Sequence, residues 1–461
     1  MTVMEFVSLD PSTGTEIARW PVAGAADREA ALQRAHGAFL SGRTRPPAER
    51  ASVLTAVAAT LRDRRDDLAL LATREMGKPL AEARAEVEKC AAGCEYFAEH
   101  GAALLADEPH RSSAPESYVS YLPLGVIFAV MPWNFPYWQV IRHAAPAVMA
   151  GNTVLVKHAE NTLGCANALT DVFTAAGADG VVSHVVATVD DSAEIIRDDR
   201  IAAVTLTGST RAGAAVAGIA GSALKKTVLE LGGSDAFVVL ADADVAAAAR
   251  TAVRARFQNA GQSCIAAKRF VVERSVADEF IEAFLAGVSS LRVGDPAAEG
   301  TTLGPMARAD LREGLTRQLE RSVQAGGKEL LPGGPRDGAG WFFDPAVLLV
   351  EDTTLPAWQE ETFGPLAPIF VADSEETALQ VVNDSVYGLG GAVWTNDLDR
   401  GKAFARRVVS GAVFVNGMTA SMPSLPFGGV KNSGYGRELA RAGLLEFTNQ
   451  QTVWVGPPGG I

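Results

Sequence analysis

Gly125-Val-Ile-Phe-Ala-Val-Met-Pro-Trp-Asn-Phe-Pro136 reads as a strand that breaks sharply at Pro132 and gives way to a helix. Gly125 to Val130 shows no alternation of polar and apolar residues, so both faces of this strand need cover. Pro136 opens a helix that runs to Ala150 and is closed by Gly151. The rhythm then repeats, with strands Thr153 to Val156, Val181 to Ala187 and Ala202 to Leu206. Helices Thr162 to Ala176, Ser192 to Arg197 and Arg211 to Ala220 stand between and after them. Such alternation predicts an α/β fold in which helices cover a parallel sheet, with ligands at the carboxyl ends of the strands.

A second α/β unit begins near Gly233. Its predicted strands are Ala236 to Leu240, Lys268 to Val272, Ala346 to Val350, Ala392 to Thr395 and Ala412 to Asn416. Helices Ala243 to Gln258, Val276 to Leu291, Ala307 to Ala325, Glu375 to Val382 and Leu398 to Val409 accompany them. Gln324 to Gly340, rich in Gly and Pro, reads as a surface loop. Upstream, a strand and turn about Leu9 to Gly14 lead into a helical pattern from Ala26 to about Ala102. Ser117-Tyr-Val-Ser-Tyr121 alternates as an exposed strand in need of a partner, and Gln451 to Val455 is another strand.

At 461 residues the chain is too long for one core, which predicts two large domains. A formal charge of −13 argues against nucleic acid as a partner. Four cysteines without a paired framework suit a reduced, cytoplasmic setting. Cys90 and Cys94 lie one helical turn apart with no third ligand near, so no metal site is expected. No secretory signal is expected at the N-terminus. The longest apolar run, Leu122 to Trp133, is too short and too rich in Pro and Gly to span a membrane.

Chemistry is concentrated in Phe257-Gln-Asn-Ala-Gly-Gln-Ser-Cys264, a turn of small residues between a helix and a strand. An accessible thiol there can become a thiolate nucleophile, although a lone cysteine also suits a buried packing role. Leu229-Glu-Leu-Gly-Gly233 supplies a carboxylate, Glu230, followed by two glycines that would let the strand end bend. Asn134 could donate to a developing oxyanion or merely cap the helix that follows. Thr207-Gly-Ser-Thr-Arg-Ala-Gly213 follows a strand and opens a helix, a setting that favours phosphate, although Gly208 and Gly213 do not make the usual dinucleotide fingerprint.

Together these segments resemble the active-site boxes of the aldehyde dehydrogenase superfamily, and the resemblance runs from about Leu9 to Val455. It implies a Rossmann-type cofactor domain (1–105 and 124–232), an α/β catalytic domain (233–432) and a small β oligomerisation arm (106–123 and 433–461). It implies Cys264 as nucleophile, Glu230 as general base for thioester hydrolysis, and Asn134 with the Cys264 N–H as oxyanion donors. In the Glu361-Thr-Phe-Gly-Pro365 box, Glu361 would hold the nicotinamide ribose and Phe363 would pack near the ring. Trp133, Gly208, Ser209, Gly213 and Leu231 belong to the same implied cofactor site. Lys431, in a later box, and Lys268 read as structural.

Lys157 and Glu160 fall where the family holds the adenine-side ribose. A carboxylate there accepts from both ribose hydroxyls and repels a 2′-phosphate, which favours NAD. NADP stays possible, with Lys157 and His158 to meet the phosphate. Members of the nearest branch often carry a small residue at the Glu160 position and use NADP. That branch is the succinate-semialdehyde dehydrogenases, resembled through Met131 to Gln139, Leu231 to Asp235 and Gly261 to Arg269. The implied reaction is oxidation of succinate semialdehyde to succinate. Trp138 and Arg142, four apart on one helix, would line the tunnel and grip the carboxylate with help from Ser421; a solvated Arg142 is the alternative.

Other aliphatic or aromatic aldehydes remain open as substrates. A CoA-acylating enzyme is disfavoured because Glu230 is retained, and a non-catalytic homologue because Cys264 and Asn134 are too. Ile265, Ala266 and Ala267 leave Cys264 no local disulfide partner. The arm and tail imply a homodimer or a dimer of dimers.

Overall fold

The computed structural model describes residues 4–457, so the outermost ends of the expected units 1–105 and 433–461 lie outside the described residues. One sheet has six strands in the order Gly434–Tyr435, Lys226–Glu230, Ile201–Thr207, Val126–Met131, Thr153–His158, Val182–His184. All pair in parallel except Gly434–Tyr435, which runs antiparallel against Glu230 and Leu229. That strand was expected in the arm; it closes the edge of the first sheet instead.

The helix after Val126–Met131 is Trp138–Ala150, and every one of its residues is buried. It starts two residues later than Pro136 because Glu86, from another helix, accepts the N–H groups of Tyr137 and Trp138 at 2.9 and 3.0 Å. Gly151 ends it at φ 100°. Its partner is the long helix Leu80–Leu104. The two approach closely because Gly93 and Gly101 carry no side chain: a Cβ at Gly93 would lie 2.9 Å from the Trp138 ring, and one at Gly101 would lie 2.2 Å from Met149. This crossing brings the outer helices to the rim of the active cleft.

The second sheet has seven strands in the order Lys328–Leu331, Ala346–Leu349, Leu366–Ala372, Ala267–Glu273, Asp235–Val239, Gly391–Trp394, Phe414–Val415. Only Lys328–Leu331 is antiparallel. It lies inside the stretch read as a loop, Gln324 to Gly340. The central strand Leu366–Ala372 is not marked by the sequence pattern, because Pro368 argues against a strand interior. Pro368 is tolerated one residue before the pairing of Ile369 with Phe270 begins, so its missing N–H removes no bond on that side. The helix at Leu398 stops at Ala405, short of Val409.

A third sheet joins the arm to the tail. Thr448–Val455 pairs antiparallel with all of Glu116–Pro123, and Glu108–Pro109 flanks the latter. Between tail and first sheet, helix Ala440–Glu446 packs on Trp138–Ala150. At the other end, Glu5–Leu9 and Glu16–Pro21 form a hairpin about the Asp10–Gly14 turn. No helix among the described residues is long and apolar enough to cross a membrane.

Candidate active site

Cys264 follows a loop with unusual backbone geometry. Asn259 and Ala260 take left-handed φ values of 56° and 53°, and Gly261 follows at 73°. Two non-glycine residues in this region cost energy and persist only where neighbours dictate them. Here many do. Glu82 accepts the Asn259 N–H at 2.8 Å, and the Asn259 amide donates to the carbonyls of Asn134 (2.8 Å) and Gln262 (3.1 Å). Arg256, fully buried, donates to the carbonyls of Gly261, Ala267, Thr362 and Gly364, tying the cysteine loop to the Glu361 loop. Burial holds Glu82 up at about 7.

Asn134 does not cap the following helix. Its Nδ2 donates to the Gln262 carbonyl at 3.0 Å, so the side chain reaches across to the cysteine loop and keeps a second N–H for another acceptor. The Cys264 thiol is half-buried, and burial pushes it up to about 11, against the pull of Arg142 and Lys268. It is a thiol at neutral pH.

Glu230 ends its strand fully enclosed, and neither carboxyl oxygen has a hydrogen-bond partner among the described residues. Burial, with Glu438 nearby, pushes it well above the carboxylate range, so it holds its proton in this position. Gly232 and Gly233 have ordinary φ values; what the site needs from them is space. A Cβ at Gly233 would lie 2.6 Å from the Cys264 carbonyl oxygen, and one at Gly232 would lie 2.6 Å from the Glu361 carboxylate. The bend expected at this strand end is therefore a close approach between the Glu230, Cys264 and Glu361 segments.

Lys268 donates to the carbonyls of Gly233 (2.7 Å) and Cys264 (2.9 Å) and to Glu361 (2.5 Å). Glu361 also accepts the Gly233 N–H at 3.1 Å. Among the described residues Lys431 donates only to the carbonyls of Asn383 and Ser385. Phe363 meets Trp133 edge to face, with centroids 5.7 Å apart, making an aromatic wall beside Glu361.

Four helices start at the carboxyl edge of the first sheet; that of Val189–Arg197 is closed by Thr188 and the Asp191 carboxylate. Glu86 fills the start of Trp138–Ala150, and Glu75 fills that of Leu163–Ala175, accepting from Gly164 and Cys165 at 2.9 Å each. Among the described residues, the start of Thr210–Ser222 is closed only by its own Ser209, whose Oγ accepts from Ala212. Gly213 lets Leu231 pack against that helix, since a Cβ there would sit 2.5 Å from the Leu231 side chain. Of the four, this start alone is met by no carboxylate among the described residues, which suits a phosphate. Glu160, exposed beyond strand Thr153–His158, makes no hydrogen bond or ion pair among the described residues, and so suits a ribose diol. Lys157, mostly buried, precedes it. These residues fit a dinucleotide. His158 does not join them. It is buried, its Nε2 faces the Pro136 carbonyl and its Nδ1 faces Ala159 and Thr162; burial lowers it to about 4, so it is neutral and turned away from any phosphate.

A cavity of about 530 Å³ opens before Cys264, walled by Trp138, Arg142, Lys89 and Ser421 among others. Trp138 lines it as expected. Arg142 reaches it but is already engaged: its Nε donates to the buried Glu438 carboxylate, its Nη2 to Thr207 at 3.3 Å, and its guanidinium lies 4.4 Å over the Phe427 ring. It is neither solvated nor free. Lys89 was not anticipated. Its Nζ donates to Ser421 Oγ at 2.8 Å and lies 4.4 Å over the Trp138 ring, and it makes no ion pair among the described residues. Nothing local marks it, for it is one lysine in a long helix, 332 positions from Ser421. No cluster able to hold a metal ion occurs among the described residues.

Comparison with known proteins agrees with this geometry. The chain is 48% identical over 449 residues to the Escherichia coli K12 protein named succinate semialdehyde dehydrogenase, NAD(P)+, covering 97% of each chain. It is 46% identical to succinate-semialdehyde dehydrogenase (NADP+) 1 of Mycobacterium tuberculosis H37Rv, covering 98% of this chain and all of that one. Among solved structures, succinic semialdehyde dehydrogenase from Streptococcus pyogenes with NADP+ superposes with a TM-score of 0.96 at 35% identity, over 98% of this chain and 100% of that chain. The family pattern itself runs through residues 2–453, taking in the cysteine loop, the enclosed glutamate and both sheets, and on that match the chain belongs to the aldehyde dehydrogenase family.

Proposed function

We propose that this enzyme oxidises succinate semialdehyde to succinate with a nicotinamide dinucleotide. The observation that carries the reading is the cavity before Cys264, whose wall bears three cations, Arg142, Lys89 and Arg254, with Arg142 and Lys89 beside the apolar face of Trp138. An aldehyde with an anionic far end suits such a cleft better than an alkyl aldehyde. The relatives named for this substrate support the same choice.

In this reading the Cys264 thiol gives its proton to solvent water in the open cavity, and the resulting thiolate sulfur bonds to the aldehyde carbon. The second Asn134 N–H and the Cys264 backbone N–H receive the oxygen of the thiohemiacetal. A nicotinamide dinucleotide, held with its nicotinamide end by Glu361 and the Phe363–Trp133 wall, would supply the two-electron acceptor for the hydride on that carbon. A thioester then remains on Cys264. Glu230 takes a proton from the attacking water, which requires it first to release its own, and the carbon–sulfur bond breaks to give the acid and the free thiol. Glu361 would hold the nicotinamide-side ribose, with Phe363 and Trp133 as the wall, and Gly208, Ser209, Gly213 and Leu231 would shape the phosphate turn. Glu160, with Lys157, would take the adenine-side ribose. Its carboxylate tilts the choice toward NAD, while the mycobacterial relative's name specifies NADP; use of both fits a lysine and a carboxylate side by side.

We further propose the division into units at 1–105 with 124–232 and at 233–432, and assembly as a homodimer or dimer of dimers through the arm. Exposed Leu122, Trp454 and Val455 on the arm sheet support assembly there. Four free cysteines suit the cytoplasm.

The test is absorbance in the reduced-nicotinamide band, with succinate semialdehyde against hexanal and NAD against NADP. A higher kcat/KM for the semialdehyde is expected. Preference for hexanal would remove the substrate while leaving the family.

A further inference from the structure

Three cations line the cavity: Arg142, Lys89 and Arg254, the last exposed at the end of helix Val245–Phe257. Arg142 is paired with Glu438, and the pair is buried. Lys89 projects from the facing helix with one of its three N–H bonds spent on Ser421 and no carboxylate in contact among the described residues. Ser421 is just as informative. Its Oγ accepts from Lys89 at 2.8 Å and from Trp138 Nε1 at 2.9 Å, which occupies both lone pairs. Its own O–H must therefore donate elsewhere, and the cavity lies before it. A cation with spare donors and a hydroxyl turned outward by two neighbours make a two-pronged donor set, the complement of a carboxylate.

We propose, building on the semialdehyde reading above, that Lys89 and Ser421 hold the distal carboxylate of the substrate, and that Lys89 is the residue that selects for it. Arg142 then acts at one remove, as a buried charge fixed by Glu438. The indole of Trp138 forms the floor under the ammonium.

The charges that face Lys89 are few. Glu86, on the same helix, is held by Lys78 and by the N–H groups of Tyr137 and Trp138. Arg142 comes from the adjoining helix and Cys264 from the loop opposite, while Glu82 and Arg254 stand elsewhere on the cavity wall. Burial, and then the like charge of Arg142, lower the ammonium to about 8. It is charged at neutral pH and loses its proton on the alkaline side. Grip on an anion should fade there, while an uncharged aldehyde is indifferent to that step.

The experiment measures the ratio of kcat/KM for succinate semialdehyde to that for hexanal. It compares the wild-type enzyme with Lys89→Met and Lys89→Arg, from about pH 7 to about pH 9.5. Expected in Lys89→Met is a fall of about 30-fold or more in the ratio at neutral pH, carried by KM, since one charge-assisted contact is lost. Lys89→Arg should keep the ratio within a few-fold and abolish its alkaline decline. A packing role for Lys89 would lower both substrates together and leave the ratio alone. If the wild-type enzyme prefers the semialdehyde and Lys89→Met preserves that preference, the Lys89 assignment fails and the substrate stands. If the wild-type enzyme shows no such preference, the substrate reading fails first. Should Lys89→Met not fold, the wild-type profile decides: a ratio constant to about pH 9.5 overturns the assignment.

Discussion

Arg142 and Lys89 stand on adjacent helices, reach the same cavity, and do opposite work. Arg142 is sealed beneath Phe427 with Glu438, and Glu230 lies in the same enclosed floor. Lys89 rests on an indole with a hydroxyl beside it. The floor holds charges that answer one another, and on the wall beside Trp138 stands one that awaits an answer. A cation's role follows from what already neutralises it, more than from its place in a sequence motif.

The sharpest break is at Glu230. Glu230→Gln keeps the shape of the floor but removes the group that can take a proton from water. Steady-state kcat should fall by about 10²- to 10⁴-fold. The first hydride transfer should survive as a burst of reduced cofactor, one per Cys264, with an acylated protein visible by mass. A variant that lost the burst as well would move Glu230 into the earlier step.

Glu438→Ala tests the floor as structure. It leaves Arg142 buried without a counter-charge, which typically costs about 3–5 kcal/mol. Lys89→Met should move stability by no more than about 1 kcal/mol, because no ion pair is lost and a methionine still covers Trp138. Thermal melting of the two variants side by side checks this. Equal losses would erase the distinction between floor and wall.

The nucleophile itself can be read without substrate. With the thiol held at about 11 by burial, alkylation of Cys264 by iodoacetamide in the cofactor-free protein should rise about tenfold per pH unit from pH 7 to beyond pH 9. Buried Cys90, Cys94 and Cys165 should react far more slowly. A plateau below about pH 8 would mean that Arg142 and Lys268 outweigh the burial.

Short-range pattern carried much of this site. The cysteine turn, the Glu-Leu-Gly-Gly box, the Asn134 junction and the strand–helix rhythm of both sheets are local features, and locality is what a single sequence displays. What it hid was long-range or contrary to propensity. Glu438 lies 296 positions from the arginine it neutralises, and Ser421 lies 332 from Lys89. Pro368 concealed a central strand, and Gly and Pro around Lys328–Leu331 concealed an edge strand. His158 stands between Lys157 and Glu160 in sequence, yet its ring turns inward to Pro136 and Thr162, because alternate residues at a strand end face opposite ways.

That inward turn sets the smallest effect. With His158 neutral and enclosed, the charges around the adenine-side ribose are Lys157, Glu160 and Arg308, and Arg308 is paired with Asp310 at 2.6 Å. Glu160 is exposed and makes no ion pair among the described residues, so solvent screens part of its repulsion of a 2′-phosphate. Glu160→Ser should therefore raise the NADP-to-NAD ratio of kcat/KM by only about tenfold, half by weaker ribose binding in NAD and half by relief of repulsion in NADP. Raising the salt concentration should shrink the second half and leave the first. If the ratio did not move, Lys157 and Arg308 would already govern the choice, and the carboxylate would be a ribose ligand without a vote on the phosphate.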